Sequence, residues 1–332
     1  MRATGPGVAD PATSVPPRPG ARHQLNVLAR FGIVWVTLVL FVVLAITTDG
    51  FLTAPNLRNV LDQQATLLIA ASVATLTMIA GGFDVSIAAV AVVAPLVALR
   101  VENATGSVLL ALAAGCTFGL AVGLANGSIV AFARINSFIT TLATSFIVFG
   151  LGYIVSERSI LRPVSDNFRD IARTRVLSLT TATWISLAVV AVAWVALAGT
   201  RFGRHVYATG GNAEAARLAG VRTRRIVVAV FALSGFAAGL AGVVAASRTI
   251  SATPSDDFSF VFGVIAAIVV GGTSIAGGTG AVWRTLLGAF FIAFMVNGFN
   301  LHQVDPIWQR VIQGIVILVA VAADAWSRSR RT

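Results

Sequence analysis

The chain has no lysine, a single cysteine and few charged residues. Charged side chains make up 11% of its 332 residues, whereas a soluble domain carries about 25%, so a soluble globular protein is excluded. Cys116 alone cannot form an intrachain disulfide or a thiolate metal site. The three histidines, His23, His205 and His302, lie too far apart for metal-ligand spacing. We therefore predict neither catalytic nor metal-binding residues.

Hydrophobic residues make up 57% of the chain and form long apolar runs. A helix needs about 20 apolar residues to cross the hydrocarbon core of a bilayer. Two of the runs are short, and each lies beside a glycine pair, an arrangement that in transporters often lines a cavity. These short runs are 85–99 and 258–270. The pattern predicts an all-α polytopic membrane protein with about ten transmembrane helices, some short or broken, at 31–47, 57–80, 85–99, 107–132, 138–156, 183–199, 226–246, 258–270, 281–299 and 308–326.

Arginine supplies all of the basic charge, and the formal net charge is +11. Because the arginines lie between apolar runs, they indicate membrane topology rather than nucleic-acid binding. With ten spans, most of them fall on the side of the N-terminus, so both termini are predicted to be cytoplasmic. The predicted organisation is a disordered cytoplasmic tail at 1–30, a transmembrane domain at 31–326 and a basic cytoplasmic tail at 327–332. The external loop at 157–182 is either a docking surface or a solvated connection.

A polar, arginine-bearing segment at 200–225 separates two apolar runs on the predicted cytoplasmic side. Asn212 is a good helix N-cap and Gly220 a good C′ residue, so a short helix is predicted at 213–219. Ala215, Leu218 and Ala219 share one face of this helix, and they are small or apolar enough to enter a groove on a partner. The alternative is a loop helix that packs on the membrane surface.

Asp84 is an ionisable residue at or near membrane depth, where an unpaired charge is costly. Gly81 and Gly82 permit a break in the helix, and Asp84 or Ser86 is placed to cap the next helix. Asp84 therefore has two possible roles that do not exclude each other. One is a structural helix cap, and the other is direct contact with a solute beside a translocation path.

Several small and polar positions in the spans have both a packing and a functional interpretation. Glycines at 115, 119 and 123 repeat every four residues, which predicts close helix packing. Six polar or aromatic residues are candidates to line the pathway, and each can also be explained as a helix-packing or span-entry residue. They are Asn126, Phe138, Thr140, Thr141, Asn297 and Asn300.

The glycine-rich segment 271–278 is not a P-loop, because no lysine precedes its Thr273-Ser274. We interpret it as a cytoplasmic hinge or gate. The chain carries no other nucleotide-binding pattern, so it is predicted to bind no cofactor and to hydrolyse no ATP.

Four motifs, in order, resemble bacterial ABC sugar permeases of the ribose, xylose, arabinose and autoinducer-2 branch. They are Gly81-Gly-Phe-Asp-Val-Ser86, Asn136-Ser-Phe-Ile-Thr-Thr-Leu142, the segment from Phe202 to Val221, and Gly271-Gly-Thr-Ser-Ile-Ala-Gly-Gly278. The resemblance covers about 51–324. The chain departs from the family at Ala88-Ala89, where a Gly-Ser pair is usual, and at Phe260-Val-Phe-Gly263, where many members carry an acidic residue.

The resemblance implies a non-catalytic permease subunit in the bacterial inner membrane. Its implied partners are a second permease copy, an extracytoplasmic solute-binding protein, and a cytoplasmic ATP-binding subunit that holds ATP and magnesium. The residues implied to contact the ATPase are Gly210, Gly211, Asn212, Ala213, Glu214, Ala215, Ala216, Arg217, Leu218, Ala219 and Gly220. The candidate pathway and gate residues are Gly81, Gly82, Asp84, Ser86, Asn126, Phe138, Thr141, Gly271, Gly272, Thr273, Asn297 and Asn300.

Three alternatives remain. A related permease for nucleosides or branched-chain amino acids fits the same motifs. An ion-coupled secondary transporter needs several buried acids in its spans, whereas only Asp84 and Asp62 qualify. A membrane scaffold explains neither the broken spans nor the polar segment. The solute itself is not specified by the sequence, because selectivity in this family resides largely in the binding protein.

Overall fold

The computed structural model describes residues 32–329. The predicted N-terminal tail at 1–30 lies outside the described residues, as do Phe31 and the last three residues of the predicted C-terminal tail. The last helix continues into that tail and ends at Ser329.

The described chain is mostly helical. Its α-helices are α1 (Gly32–Thr47), α2 (Ala54–Ile79), α3 (Ser86–Thr105), α4 (Val108–Ser128), α5 (Ser137–Ser156), α6 (Asp170–Arg173), α7 (Thr181–Gly199), α8 (Arg201–Gly211), α9 (Ala213–Leu218), α10 (Thr223–Thr249), α11 (Ser259–Val270), α12 (Val282–Leu301) and α13 (Pro306–Ser329). A π-helical turn at Ile129–Ala133 extends α4, a 3₁₀ turn at Asp166–Arg169 precedes α6, and the strands β1 (Arg175–Val176) and β2 (Leu179–Thr180) form a small antiparallel hairpin.

Seven of the described helices are long and apolar enough to cross a membrane: α2, α3, α4 with its π turn, α5, α7, α10 and α12. The shorter apolar helices α1 and α11, and the apolar part Pro306–Val319 of α13, account for the remaining predicted spans. The prediction of a polytopic helical membrane protein is therefore confirmed, with about ten as an approximate count.

The two runs predicted to be short behave differently. Helix α11 has 12 residues, about 18 Å at 1.5 Å per residue, which is less than the hydrocarbon thickness of about 30 Å. The prediction for 85–99 is wrong, because α3 has 20 residues and continues to Thr105. Its polar last turn is stabilised by contacts that the sequence does not show: Arg100 forms an ion pair with Glu157, and the buried Glu102 accepts hydrogen bonds from a distant loop.

Helices α4 and α10 pack against each other through glycines. A Cβ atom added to Gly119 would lie 2.2 Å from the Gly235 carbonyl oxygen, and one added to Gly235 would lie 2.1 Å from the Gly119 carbonyl oxygen. Gly123 and Gly239 make equivalent close approaches to the opposite backbone. The predicted packing role of the glycine repeat on α4 is confirmed, and α10 supplies a matching repeat that the sequence analysis did not single out.

The connections between helices gather at two ends of the bundle. We call one the α8 end, because it carries α8 and α9 together with the connections 80–85 and 271–281; Tyr207 of α8 donates a hydrogen bond to the Gly280 carbonyl at 2.7 Å. We call the other the far end. There the Thr48 Oγ1 lies 3.0 Å from the His302 Nε2, and Leu161 forms a β-bridge with Ala252.

The far-end loop at 157–182 is folded. The side chain of Phe168 is fully buried in a small second core, and Ser247 of α10 donates a hydrogen bond to its carbonyl oxygen at 2.8 Å. The carboxylate of Glu102 accepts hydrogen bonds from the backbone N–H groups of Val164 at 2.9 Å and Ser165 at 2.7 Å. These contacts fold the loop against α3 and α10, although most of its residues are exposed.

Candidate functional site

The break between α2 and α3 is built around the carboxylate of Asp84. Gly81 turns the chain with a φ of +83°, a left-handed conformation that favours glycine. The side chain of Asp84 is buried; its Oδ1 accepts hydrogen bonds from the Ser86 backbone N–H at 3.0 Å and the Ser86 hydroxyl at 2.5 Å. Its Oδ2 accepts a hydrogen bond from the Ser234 hydroxyl of α10 at 2.7 Å. Asp84 therefore caps the start of α3 and also links it to α10.

The hydrogen bonds around Asp84 continue into two further helices. Asn126 of α4 donates from Nδ2 to the Ser86 hydroxyl at 2.9 Å, and Thr144 of α5 donates to the Asn126 Oδ1 at 2.7 Å. Asn126 is fully buried and lies three residues before the π-helical turn that extends α4. This Asp84 network joins α3, α4, α5 and α10 through side chains that would each be costly to leave unpaired.

The first turn of α5 holds the other side of the same break. The Val85 backbone N–H donates to the Thr141 hydroxyl at 3.0 Å, and the Phe83 backbone N–H donates to the Ser137 hydroxyl at 3.0 Å. The rings of Phe83 and Phe138 lie 5.8 Å apart between centroids. Thr140 instead donates to the Asn136 carbonyl of its own helix. A narrow cavity beside Asp84 separates this break from α11 and is lined by residues of both.

The loop at 271–281 lies at the α8 end, next to the Asp84 break. Gly271 packs against α12, where an added Cβ would lie 2.5 Å from the Arg284 carbonyl oxygen, and Gly272 has a φ of +81°. Thr273 is buried, and its hydroxyl has no hydrogen-bond partner among the described residues. The loop is closed by a hydrogen bond from the Ser274 N–H to the Thr279 carbonyl at 3.0 Å.

Two of the candidate pathway residues lie away from this cluster. Asn297 exchanges a reciprocal pair of side-chain hydrogen bonds with Asn56 of α2, each 2.9 Å long, and Asn300 accepts a hydrogen bond from Gln309 of α13. Both asparagines lie toward the far end, where they connect α12 to its neighbouring helices. The structure thus brings together the candidates of the α8 end and separates Asn297 and Asn300 from them.

The short helix predicted in the polar segment is confirmed as α9. The Asn212 Oδ1 accepts a hydrogen bond from the Ala215 N–H at 2.9 Å, and Gly220 follows the helix with a φ of +86°. Leu218 is 78% exposed, and Ala215 and Ala219 are exposed beside it. Glu214 and Arg217 form an ion pair on the solvent side, and the hydrogen bond from Arg217 lowers the pKa of Glu214. The predicted docking face is therefore available to a partner.

Helix α8 and several partners of the site were not predicted. Helix α8 buries Gly203, Val206 and Thr209 and holds Tyr207 against the 271–281 loop. Ser234 and Thr144 complete the Asp84 network from α10 and α5. The sequence signal that could have indicated Ser234 is a hydroxyl residue next to a glycine inside an apolar run, Ser234-Gly235.

The family model described as "Branched-chain amino acid transport system / permease component" matches residues 56–321. The chain belongs to this permease family of ABC importers. The ribose import permease of Escherichia coli (strain K12) is 35% identical over 294 residues, covering 86% of this chain and 91% of the relative. The L-arabinose ABC transporter permease of Azospirillum brasilense is 35% identical over 322 residues, covering 97% and 95%. The galactose/methyl galactoside import permease of Salmonella typhimurium (strain LT2) is 34% identical over 326 residues, covering 92% and 97%. No solved structure shows significant similarity.

Family membership and the apolar helices together make the chain a multi-pass inner-membrane protein and the permease component of a transport system. The resemblance drawn from the four motifs is confirmed. The roles of individual residues remain predictions.

Proposed function

We propose that this permease conducts a sugar across the inner membrane as one subunit of an ATP-driven importer and itself hydrolyses no ATP. The similarity to permeases named for ribose, L-arabinose and galactose, at 34–35% identity over nearly the whole chain, carries this proposal. ATP and magnesium are then bound by a separate subunit, and this chain supplies the path. Its two states are favoured in turn by ATP binding and release on that subunit.

A permease for branched-chain amino acids is the second candidate, because the matching family model carries that description. Uptake of radiolabelled ribose, L-arabinose, galactose and leucine separates the two in cells that express the permease with its ATP-binding subunit and its binding protein. We expect saturable uptake of a sugar that requires the ATP-binding subunit. Uptake of leucine alone supports the second candidate, and uptake driven by an ion gradient without the ATP-binding subunit contradicts both.

The exposed face of α9 is the proposed docking site of the ATP-binding subunit, which places the α8 end in the cytoplasm. Leaving aside the folded loop at 157–182, the described arginines of the far end are Arg58, Arg100, Arg248 and Arg310. Those of the α8 end are Arg134, Arg201, Arg204, Arg217, Arg222, Arg224, Arg225, Arg284 and Arg328. Short connections rich in arginine favour the cytoplasmic side. Both chain termini are then cytoplasmic.

Enlarging the α9 face tests this docking. Ala215→Trp adds an indole to an exposed position of a two-turn helix, so it should leave membrane insertion intact while blocking a closely fitted groove. We expect loss of co-purification with the ATP-binding subunit and loss of uptake. Normal co-purification together with normal uptake would contradict docking at α9.

The folded loop at 157–182 is the proposed docking surface for the solute-binding protein. It presents exposed arginines at 158, 162, 169, 173 and 175, and none of them forms an ion pair within the described part of the chain. The buried Phe168 and the hydrogen bonds to the buried Glu102 anchor this loop. An acidic surface on the binding protein would complement it.

A pair of permease copies is proposed to enclose the path. Each chain provides one α9, and one such helix serves one ATP-binding subunit, so two chains are needed for the two ATP-binding subunits of such a transporter. Whether the second permease is identical to the first is tested by co-purification of two differently tagged copies of this chain.

A further inference from the structure

Three separate segments, each carrying a glycine pair, meet at the α8 end. They are Gly81-Gly82 after α2, Gly210-Gly211 at the end of α8, and Gly277-Gly278 between α11 and α12. A Cβ atom added to Gly210 would lie 1.7 Å from the Ile79 carbonyl oxygen and 2.8 Å from the Gly278 nitrogen. One added to Gly277 would lie 2.9 Å from the Gly81 Cα. We call this direct contact of three backbones the glycine junction.

Hydrogen bonds fasten the three segments to one another. The Gly278 N–H donates to the Ile79 carbonyl at 2.8 Å, which satisfies a carbonyl that the end of α2 leaves without an intrahelical donor. The Tyr207 hydroxyl of α8 donates to the Gly280 carbonyl at 2.7 Å. Helix α8 is thus bonded to the 271–281 loop, and that loop is bonded to the end of α2.

The glycine junction lies only a few residues from the Asp84 network. Gly82 donates its N–H to the Thr77 carbonyl at 2.9 Å, and the next residues are held by Ser137, Thr141 and Ser234 of α5 and α10. Because packed protein interiors have low compressibility, a displacement of one backbone in such a contact displaces its neighbours. At Gly210, Gly277 and Gly278 the nearest atoms of the other segments are backbone atoms, so a movement is passed on without an intervening side chain at these positions.

We propose that the glycine junction makes α8, α9, the end of α2 and the 271–281 loop one mechanical unit. Movement of α9 is then passed directly to the connection 80–85 before α3 and to the connection 271–281 before α12. This inference rests on the proposed function, since it assigns the route by which an ATP-binding subunit docked on α9 would act on the path. Gly210 and Tyr207 are the positioning residues of that route: Gly210 permits the contact and Tyr207 fastens it.

Two matched glycine substitutions test the route. Gly210→Ala inserts a methyl group into the junction, whereas at Gly199, the last residue of α7, an added Cβ would meet only Val195 at an ordinary 3.8 Å. Gly210 is among the residues implied to contact the ATPase, but a Cβ atom there would face Ile79 and Gly278 and not the exposed face of α9. For Gly210→Ala we therefore expect retained co-purification with the ATP-binding subunit and an at least tenfold fall in solute transported per ATP hydrolysed. Gly199→Ala should match the unmodified chain in both measurements. The measurements use the complete transporter in lipid nanodiscs and proteoliposomes, with each of the three sugars above as the probe.

A second variant decides the case in which Gly210→Ala does not fold. Tyr207→Phe removes one hydroxyl and adds no atoms, so monodisperse protein is expected, with a threefold to tenfold lower ratio of transport to hydrolysis. An unchanged ratio in folded Gly210→Ala, or in Tyr207→Phe where Gly210→Ala fails to fold, overturns the proposal. Failure of the unmodified chain to bind the ATP-binding subunit would instead overturn the proposed function.

Discussion

Replacing Glu102 with glutamine should loosen the folded loop at 157–182. The Glu102 side chain is fully buried and accepts two backbone N–H groups, from Val164 at 2.9 Å and Ser165 at 2.7 Å. A glutamine at this position has the same shape, and its carbonyl oxygen accepts one of these N–H groups. Its NH₂ group then faces the other N–H, so two donors meet. The Val164 N–H keeps a second acceptor in the Asn103 Oδ1 at 3.2 Å, but the buried NH₂ of the glutamine is left without one.

The size of the effect follows from the cost of that unpaired donor. A buried donor without a partner costs about 1–3 kcal/mol, and about 1.4 kcal/mol corresponds to a factor of ten in an equilibrium. The equilibrium for local opening of the loop should therefore rise about 5- to 150-fold. Hydrogen–deuterium exchange of peptides that cover 161–170, in the purified permease, reports this opening directly.

Glu157→Gln provides the control for Glu102→Gln. Glu157 is also a glutamate at the far end, but its side chain is 77% exposed and its ion pair with Arg100 lies in solvent. Exposed pairs contribute about 0–1 kcal/mol, so its exchange should change by less than about fivefold. Unchanged exchange in Glu102→Gln, or an equal increase in Glu157→Gln, would refute the reasoning that the buried carboxylate holds the loop.

Three further predictions concern other parts of the molecule. Gly119→Ala should destabilise the α4–α10 contact by about 1–3 kcal/mol, since the added Cβ would lie 2.2 Å from a carbonyl oxygen; thermal unfolding in detergent should show a lower midpoint than for Gly150→Ala, where nothing lies within 4 Å. Asp84→Asn should insert normally but transport at least about tenfold more slowly, because an amide cannot accept all three hydrogen bonds of the carboxylate; wild-type uptake would show the network to be dispensable. Arg162→Glu with Arg173→Glu should weaken binding-protein affinity at low salt by about tenfold, and a loss that persists unchanged in high salt would argue against charge complementarity.

The apolar spans could be predicted because the hydrocarbon core sets their length and composition. Their ends were less certain wherever polar residues continue a helix. Arg100 and Glu102 suggested the end of a span, but their partners lie 55 and more residues away, so α3 runs on through them. Helix α9 was predicted because its N-cap and stopping glycine are local signals.

Helix α8 could not be predicted from local signals. It contains three glycines within 11 residues, which lowers its intrinsic helix propensity. Tertiary contacts make it helical: Val206 is fully buried, and Gly203 lies so close to α7 that a Cβ would come within 1.9 Å of the Leu197 carbonyl oxygen. The Asp84 network likewise depends on Ser234, 150 residues away, and the Asn56–Asn297 pair on a separation of 241 residues. Single-sequence periodicity carries no information about such pairings.

The glycine contact between α4 and α10 also imposes an order on membrane assembly. Helix α4 ends at Ser128 and α10 at Thr249, so at about 5–20 residues per second the ribosome needs roughly 6–24 s between the two. During that interval the glycine face of α4 has no glycine partner and exposes polar backbone to lipid or to the insertion machinery. The N-terminal spans must therefore assemble without covering the glycine face of α4, so that α10 can pack there after its synthesis. Any factor that shields nascent α4 should change the yield of the folded permease more than its final stability.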